Sequence, residues 1–355
     1  MISATAGHSP AAWPNQWPDG RRYGALGAPI EVTGSDAEAQ PEAVLVGVDK
    51  KKIQGRSLGQ IAWMRLKRDK VALTGAIVVI LLIVLAIIGP FFVQNPLTYH
   101  QNLIDPTYNR PKSGIWHTGI SGDHWLGVEP GTGRDMLARI VHGARISLLV
   151  SFLATLTSVV IGTVMGITAG YFGGWVDYLI SRTMDAFLAF PLLLFAIALV
   201  GVVSDGAFGL NGNGLRISVL VIVIGFFNWP YIGRIIRGQT LSLREREFVD
   251  AARSMGARNS YVLFKEVLPN LVAPILVYST LLIPVNILFE AALSFLGVGV
   301  IPPTPSWGAM LTLAVPIYSS DPAYMIIPGM AIFITVLAFN LFGDGLRDAL
   351  DPRAK

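Results

Sequence analysis

The sequence predicts an all-α integral membrane protein with six transmembrane helices, and three observations lead there. Of 355 residues, 52% are hydrophobic and only 14% charged, where a soluble domain carries roughly a quarter charged. Six charge-free runs have crossing length or close to it, since about 20 apolar residues cover ~30 Å of hydrocarbon. Lysine and arginine are also strongly skewed. Segments 1–70, 170–185, 234–270 and 344–355 hold 21 of the 27, and segments 94–145, 204–216 and 290–323 hold six. By the positive-inside rule both termini are therefore cytoplasmic. The formal charge of +4 is thus a topology signal, and no nucleic-acid partner is expected.

Residues 1–57 are rich in Gly, Pro, Ala, Ser and acidic residues, with a basic cluster at Lys50-Lys51-Lys52. They read as a disordered cytoplasmic tail. No apolar run begins before residue 71, too late for a secretory signal. In 58–70, Leu58, Ile61 and Ala62 with Arg65, Lys67 and Arg68 suit an interfacial amphipathic helix. The membrane domain is then 71–355, with spans near 71–93, 146–169, 186–203, 217–233, 271–289 and 324–343. The third and fourth runs are slightly short, so their helices extend into flanking polar residues. Pro191, Pro230, Pro274, Pro284 and Pro328 each free a carbonyl that hydrocarbon does not satisfy. They suit helices packed on neighbours or lining a watery path.

Between spans, the long outer loop 94–145 keeps Arg134, Arg139 and Arg145 against the topology rule. Asp135 is placed to cap a short amphipathic helix. Its apolar face would be Met136, Leu137, Ile140, Val141 and Ala144, lying at the outer surface before the second span. Arg182 and Asp185, three apart, read as a pair, and Asn228 and Asn340 as interhelical hydrogen bonds. Asn286 and Glu290 lie one turn apart at the end of the fifth span. One reading makes them a polar lining of a translocation path; the other places Glu290 at the interface, ending the helix. Gly297, Gly299 and Gly308 with Pro302, Pro303 and Pro305 give either a rigid outer gate loop or a compact re-entrant connection.

The chemistry the chain lacks narrows its function. There is no cysteine, hence no disulfide, thiolate metal site or cysteine nucleophile. The five histidines are His8, His100, His117, His124 and His142, none within a span, and no His-Glu-x-x-His or Gly-x-Ser-x-Gly appears. An intramembrane enzyme is disfavoured. No Gly-x4-Gly-Lys-Ser/Thr occurs either, so ATP is not bound here through a P-loop. No cofactor, metal or catalytic residue is expected in this chain.

Region 234–270 is a charged island between two spans. Residues 247–255 read as a short helix carrying Asp250, Ala251 and Ala252, whose small side chains allow a partner close to the backbone. Gly256 permits the positive φ that reverses a chain at a helix end. Asn259 or Ser260 would cap a second helix carrying Tyr261, Val262, Phe264 and Val267. Leu268 and Pro269 would close it and return the chain to the membrane. The product is a helix-turn-helix elbow.

Asp250-Ala251-Ala252, three residues, Gly256, then Leu268-Pro269 resembles the cytoplasmic coupling motif of ATP-binding-cassette (ABC) importer permeases, whose signature is Glu-Ala-Ala, three residues, Gly, nine residues, Ile, one residue, Leu-Pro. Asp250 stands for the Glu and Glu266 for the Ile. Further blocks resemble the dipeptide/oligopeptide/nickel branch and its C-type subunit. They are His124-Trp-Leu-Gly, Gly133-Arg-Asp, Gly143-Ala-Arg-Ile-Ser-Leu, Gly170-Tyr-Phe-Gly-Gly-Trp-Val-Asp, Ala291-Ala-Leu-Ser-Phe-Leu-Gly-Val-Gly with Pro302-Pro-Thr-Pro-Ser-Trp-Gly, and Asn340-Leu-Phe-Gly-Asp-Gly-Leu-Arg-Asp-Ala-Leu-Asp-Pro-Arg. They span roughly 58–353. Departures are Val128–Thr132 and the glycine-rich outer loop 205–214.

The resemblance implies a type I importer bundle in the bacterial cell membrane. It also implies a homologous second permease as heterodimer partner, two ATPase subunits carrying ATP and Mg, and an extracytoplasmic substrate-binding protein. The elbow would seat in a groove of the ATPase, with Asp250, Ala251, Ala252, Gly256, Leu268 and Pro269 as coupling residues. The implied cargo is a di- or oligopeptide, with nickel or another complexed solute as the alternative.

Overall fold

A computed structural model describes residues 58–114, 118–202 and 212–350. The expected tail 1–57 and most of the glycine-rich loop 205–214 lie outside these. Apolar side chains dominate long stretches, so helix is the backbone form that satisfies its own hydrogen bonds. The helices are α1 (Leu58–Arg68), α2 (Lys70–Ile88), α3 (Met136–Phe172), α4 (Gly174–Ala189), α5 (Leu192–Val202), α6 (Gly212–Leu243), α7 (Glu247–Ser254), α8 (Asn259–Tyr261), α9 (Leu268–Phe295), α10 (Trp307–Ala314) and α11 (Ala323–Leu350). Among the described residues, five continuous helices are long and apolar enough to cross a membrane, and the bent pair α4/α5 passes the same test when its two halves are taken together. Between α2 and α3 the chain forms one short antiparallel ribbon, β1 (Ile104–Asp105) with β2 (Arg110–Pro111).

Several boundaries differ from the sequence expectation, each for a local reason. The outer amphipathic helix is not a separate element. Asp135 does cap it, its Oδ1 accepting from the Ala138 N–H at 2.6 Å, but the helix runs on without a break as α3 to Phe172. No proline or free capping group interrupts 136–172, so nothing stops it. The third span is not one straight helix over 186–203. It begins at Gly174 and bends by 80° between α4 and α5. Phe190, which precedes Pro191, sits at φ −81°, ψ 129°, the extended conformation that a following proline enforces. The fourth span extends at both ends, as its short apolar run required, from Gly212 to Leu243.

Small residues set the closest packing. Gly162, Gly166 and Gly170 recur every fourth residue on α3 and meet α6. A Cβ at Gly166 would lie 2.6 Å from the Gly233 carbonyl oxygen, and one at Gly162 would lie 2.7 Å from the Trp229 oxygen. Only hydrogen side chains let these two backbones approach so closely.

Contacts at the helix ends fix which ends share a face. Arg244 Nη1 reaches the Gly170 carbonyl at 3.2 Å, and the Tyr171 hydroxyl pairs with Asn259 Oδ1 at 3.1 Å. The end of α3 thus lies beside the end of α6 and the start of the α8–α9 rod. Ala62, Leu66 and Ala72 cluster with Ala349, joining α1 and the start of α2 to the end of α11. At the opposite end, Trp307 Nε1 donates to the Ile140 carbonyl at 3.1 Å. The Tyr324 hydroxyl, at the start of α11, donates to Glu129 there.

Candidate coupling elbow and interior polar sites

The island between α6 and α9 folds as a protruding elbow. Helix α7 exposes Glu247, Asp250, Ala251 and Ser254, while Val249 and Ala252 are buried. Ala252 is therefore not part of the outer tip as a free small surface; it packs inward, in one cluster with Val249, Val262, Val267, Ile167 and Ile236. Gly256 reverses the chain at φ +82°, with open space around it. Asp250 lies 3.8 Å from Arg253. The Arg253 guanidinium stacks over the Tyr171 ring at 5.0 Å. Met255, 82% exposed, is the most prominent apolar group of the tip, and nothing in its sequence neighbourhood marked it.

The second arm departs from expectation. Arg258 occupies the cap position without a side-chain cap bond, and Asn259 serves Tyr171 instead of capping. Leu268 and Pro269 do not close the arm. Helix continues from Asn259 to Phe295 as one 37-residue rod. Across Val262–Val267 it widens to a π-helical turn, where the Leu268 N–H reaches the Leu263 carbonyl. Pro269 has no N–H for the ordinary bond one turn back, and the wider turn absorbs that loss. Leu268 is half-buried and Pro269 exposed.

Ion pairs strap α4 to α6 on the elbow side. Asp177 receives two hydrogen bonds from Arg237, one at 2.6 Å from Nη2. Asp185 pairs with Arg234 and, at 3.5 Å, with Arg182, the second of which the spacing of three predicted.

Two polar knots lie inside the bundle. Asn228 of α6 donates to Asn286 Oδ1 at 2.8 Å, and Asn286 Nδ2 donates to Thr155 of α3 at 2.8 Å. One amide relay thereby joins three helices, as expected for Asn228. Asn340, by contrast, is exposed. Glu290 is wholly buried. It accepts from Ser294 at 2.8 Å, and the hydroxyls of Ser147 and Ser306 lie against the same carboxyl. Each serine oxygen in turn accepts a backbone N–H, from Trp307, Val300 and Ala309 respectively for Ser147, Ser294 and Ser306. Glu290 therefore neither ends its helix at an interface nor faces an open surface in this chain; α9 runs on to Phe295, and the carboxyl ties the 298–309 segment to α3 and α9. That segment is compact: Trp307 is buried and begins α10.

The segment between α2 and α3 holds a third knot. Buried Glu129 accepts from Arg134, Thr132 and the Tyr324 hydroxyl, with Arg139 Nη2 at 3.9 Å. Burial alone would raise the Glu129 pKa. The hydrogen bond from Arg134, the charge of Arg139 and the two hydroxyls together hold it below the usual carboxylate range. Nearby, His124 Nδ1 pairs with Asp135 Oδ2 at 2.8 Å.

A bundle of long apolar helices, one of them continuous with the second arm of the elbow, defines a polytopic membrane protein. Comparison with known proteins makes the class specific. The family described as binding-protein-dependent transport system inner membrane component matches residues 162–355, and the N-terminal TM domain of oligopeptide transport permease C matches 57–111. A dipeptide transport system permease protein of Alkalihalophilus pseudofirmus is 40% identical over 83% of this chain and 90% of its own length. Glutathione transport system permease proteins of Pectobacterium atrosepticum and Escherichia coli are 41% and 42% identical over 82% of this chain and 90% of theirs. Among solved structures, an inward-facing methionine ABC transporter aligns over 61% of this chain and 98% of its own, at 17% identity and a TM-score of 0.47. The chain belongs to the binding-protein-dependent transport family, as a multi-pass permease subunit of an ABC importer in the bacterial inner membrane.

Proposed function

We propose that this permease carries di- or oligopeptides inward as one half of a heterodimeric channel, its partner being a homologous permease. Two ATPase subunits supply ATP and Mg, and the elbow, with Asp250, Ala251, Gly256 and the exposed Met255, is their contact. The elbow side faces the cytoplasm, in keeping with the distribution of lysine and arginine. Relatives named for dipeptide and glutathione transport support a peptide-class cargo, delivered by an extracytoplasmic binding protein.

The observation that carries this reading is the elbow's apolar interior. Val249, Ala252 and Val262 share one buried cluster with Ile167 of α3, Ile236 of α6 and Leu271 of α9. A densely packed interior transmits displacement instead of absorbing it. Closure of the ATPase pair on nucleotide would favour one bundle arrangement by its differential binding energy. Asn286 and Glu290 are buried within this subunit, so a role in the path would require the helices around them to part.

The chain contains no cysteine, which makes the test direct. Ser254→Cys places a single thiol on the exposed elbow. Crosslinking in native membranes should attach a nucleotide-binding ATPase subunit to it. A folded, membrane-inserted protein that captures no ATPase would overturn the coupling assignment.

A further inference from the structure

Among the basic residues on the bundle end opposite the elbow are Arg134, Arg139 and Arg145, which stand against the charge rule just before the second crossing, and the structure accounts for the first two. Arg134 and Arg139 converge on Glu129. Arg145 does not: it is exposed and makes no hydrogen bond or ion pair among the described residues. It borders a groove of about 690 Å³ between the end of α2, the first turns of α3 and the 304–305 segment. Val93, Gln94, Asn95, Ile146 and Thr304 line it too, and no carboxylate does among the described residues. Asn95 Oδ1 is engaged by the Leu97 N–H at 2.9 Å, which leaves its amide N–H groups as donors. His142 lines it as well, its Nδ1 turned to the Ala138 carbonyl at 2.9 Å. The polar part of the groove therefore offers a guanidinium, an imidazole, two amides and a hydroxyl to an anion.

What continues from the groove is apolar. Leu149, Phe152 and Leu156 follow Arg145 at intervals of four, three and four, on one face of α3, and all are exposed. Phe91 and Phe92 stand exposed at the end of α2 beside it. This α3 face belongs to a helix long and apolar enough to cross a membrane. Phe152 also packs edge-on against Phe339 at 5.9 Å, which fixes its place in the strip. An unpaired guanidinium beside a strip of exposed apolar side chains matches a ligand with an anionic head and apolar chains.

We infer that this groove binds an acidic phospholipid of the leaflet opposite the elbow, its phosphate on Arg145 with Gln94, Asn95 and Thr304 beside it and its acyl chains along Leu149, Phe152 and Leu156. The site is independent of the coupling elbow and of the cargo. Charge supplies the preference for acidic over zwitterionic lipid, because the groove has no counter-carboxylate of its own.

The test uses the complete importer, purified in mild detergent and titrated with phosphatidylglycerol or phosphatidylcholine, with bound lipid counted by native mass spectrometry. One phosphatidylglycerol per copy of this chain should be retained in preference to phosphatidylcholine. Arg145→Gln should weaken it roughly tenfold, the loss expected of one charge-assisted hydrogen bond, while Arg145→Lys keeps most of it. Thr304→Val should give a smaller loss. Unchanged occupancy in Arg145→Gln overturns the proposal, as does equal retention of the two lipids. Displacement by millimolar inorganic phosphate would assign the groove to a free anion and overturn the lipid. Weakened association with the binding protein at unchanged lipid occupancy would make it a protein contact instead. If Arg145→Gln fails to assemble, the two-lipid comparison on the unmodified importer and Arg145→Lys decide the matter.

Discussion

Glu129 is held by Arg134, Thr132 and Tyr324, with Arg139 close by, and removing its charge leaves two buried guanidiniums without their counter-ion. Glu129→Gln should cost about 3–5 kcal/mol, the usual consequence of breaking one side of a buried pair, read as a lowered unfolding temperature in detergent. The pH dependence has a definite sign. The folded carboxyl titrates lower than the unfolded one, so its contribution is full above the ordinary carboxylate range and is lost as pH falls through the folded value. The variant should therefore lose stability at neutral pH and flatten the acid limb of the wild-type curve. None of this was legible in the sequence beyond the three arginines that broke the charge rule. Tyr324 is 195 residues from Glu129, and no local pattern announces a partner at that separation. Glu290 illustrates the same limit: its position at the edge of an apolar run suggested an interface, whereas its serine shell comes from three different segments.

Among the elements, long apolar runs located the crossings well, because burial in lipid is written into composition. The ends were less legible. A helix stops where a cap or proline stops it, and 136–172 contains no such signal, so an apparently separate outer helix fuses with the second crossing. Pro191 marked a disturbance in the third crossing, yet the size of the bend is set by neighbours. Phe187, Phe195 and Phe227 pack around it, with ring centroids 5.3 Å and 4.5 Å from Phe227. The four-residue recurrence of Gly162, Gly166 and Gly170 was a readable sign of close helix contact. Gly166→Leu should force α3 from α6, destabilising the bundle by about 1–3 kcal/mol or more, visible as earlier thermal aggregation. At the elbow, Gly256→Pro and Ala252→Glu should abolish transport while membrane insertion persists. Proline denies the φ of +82° that Gly256 adopts, and a glutamate at 252 would bury a charge in the cluster that joins elbow to bundle. Normal uptake with either variant at full expression would sink the assignment.

For the molecule as a whole, the family was legible because its motifs are local strings, each surviving variation elsewhere. Cargo was not, since peptide recognition is expected in a separate delivery protein and leaves little trace here. What the fold adds is mechanical. Residues 259–295 form a single rod of about 55 Å at 1.5 Å per residue. Its near end is built into the elbow, and its far end carries Glu290, whose serines hold the 298–309 segment. A rigid tilt of about 5° at one end displaces the other by about 5 Å on that length. Under the proposed function the two ends of this helix act as one crank: whatever turns the elbow end must swing the Glu290 end, and the π-helical turn at Val262–Val267, with Pro274 and Pro284 further along, is where that linkage has slack.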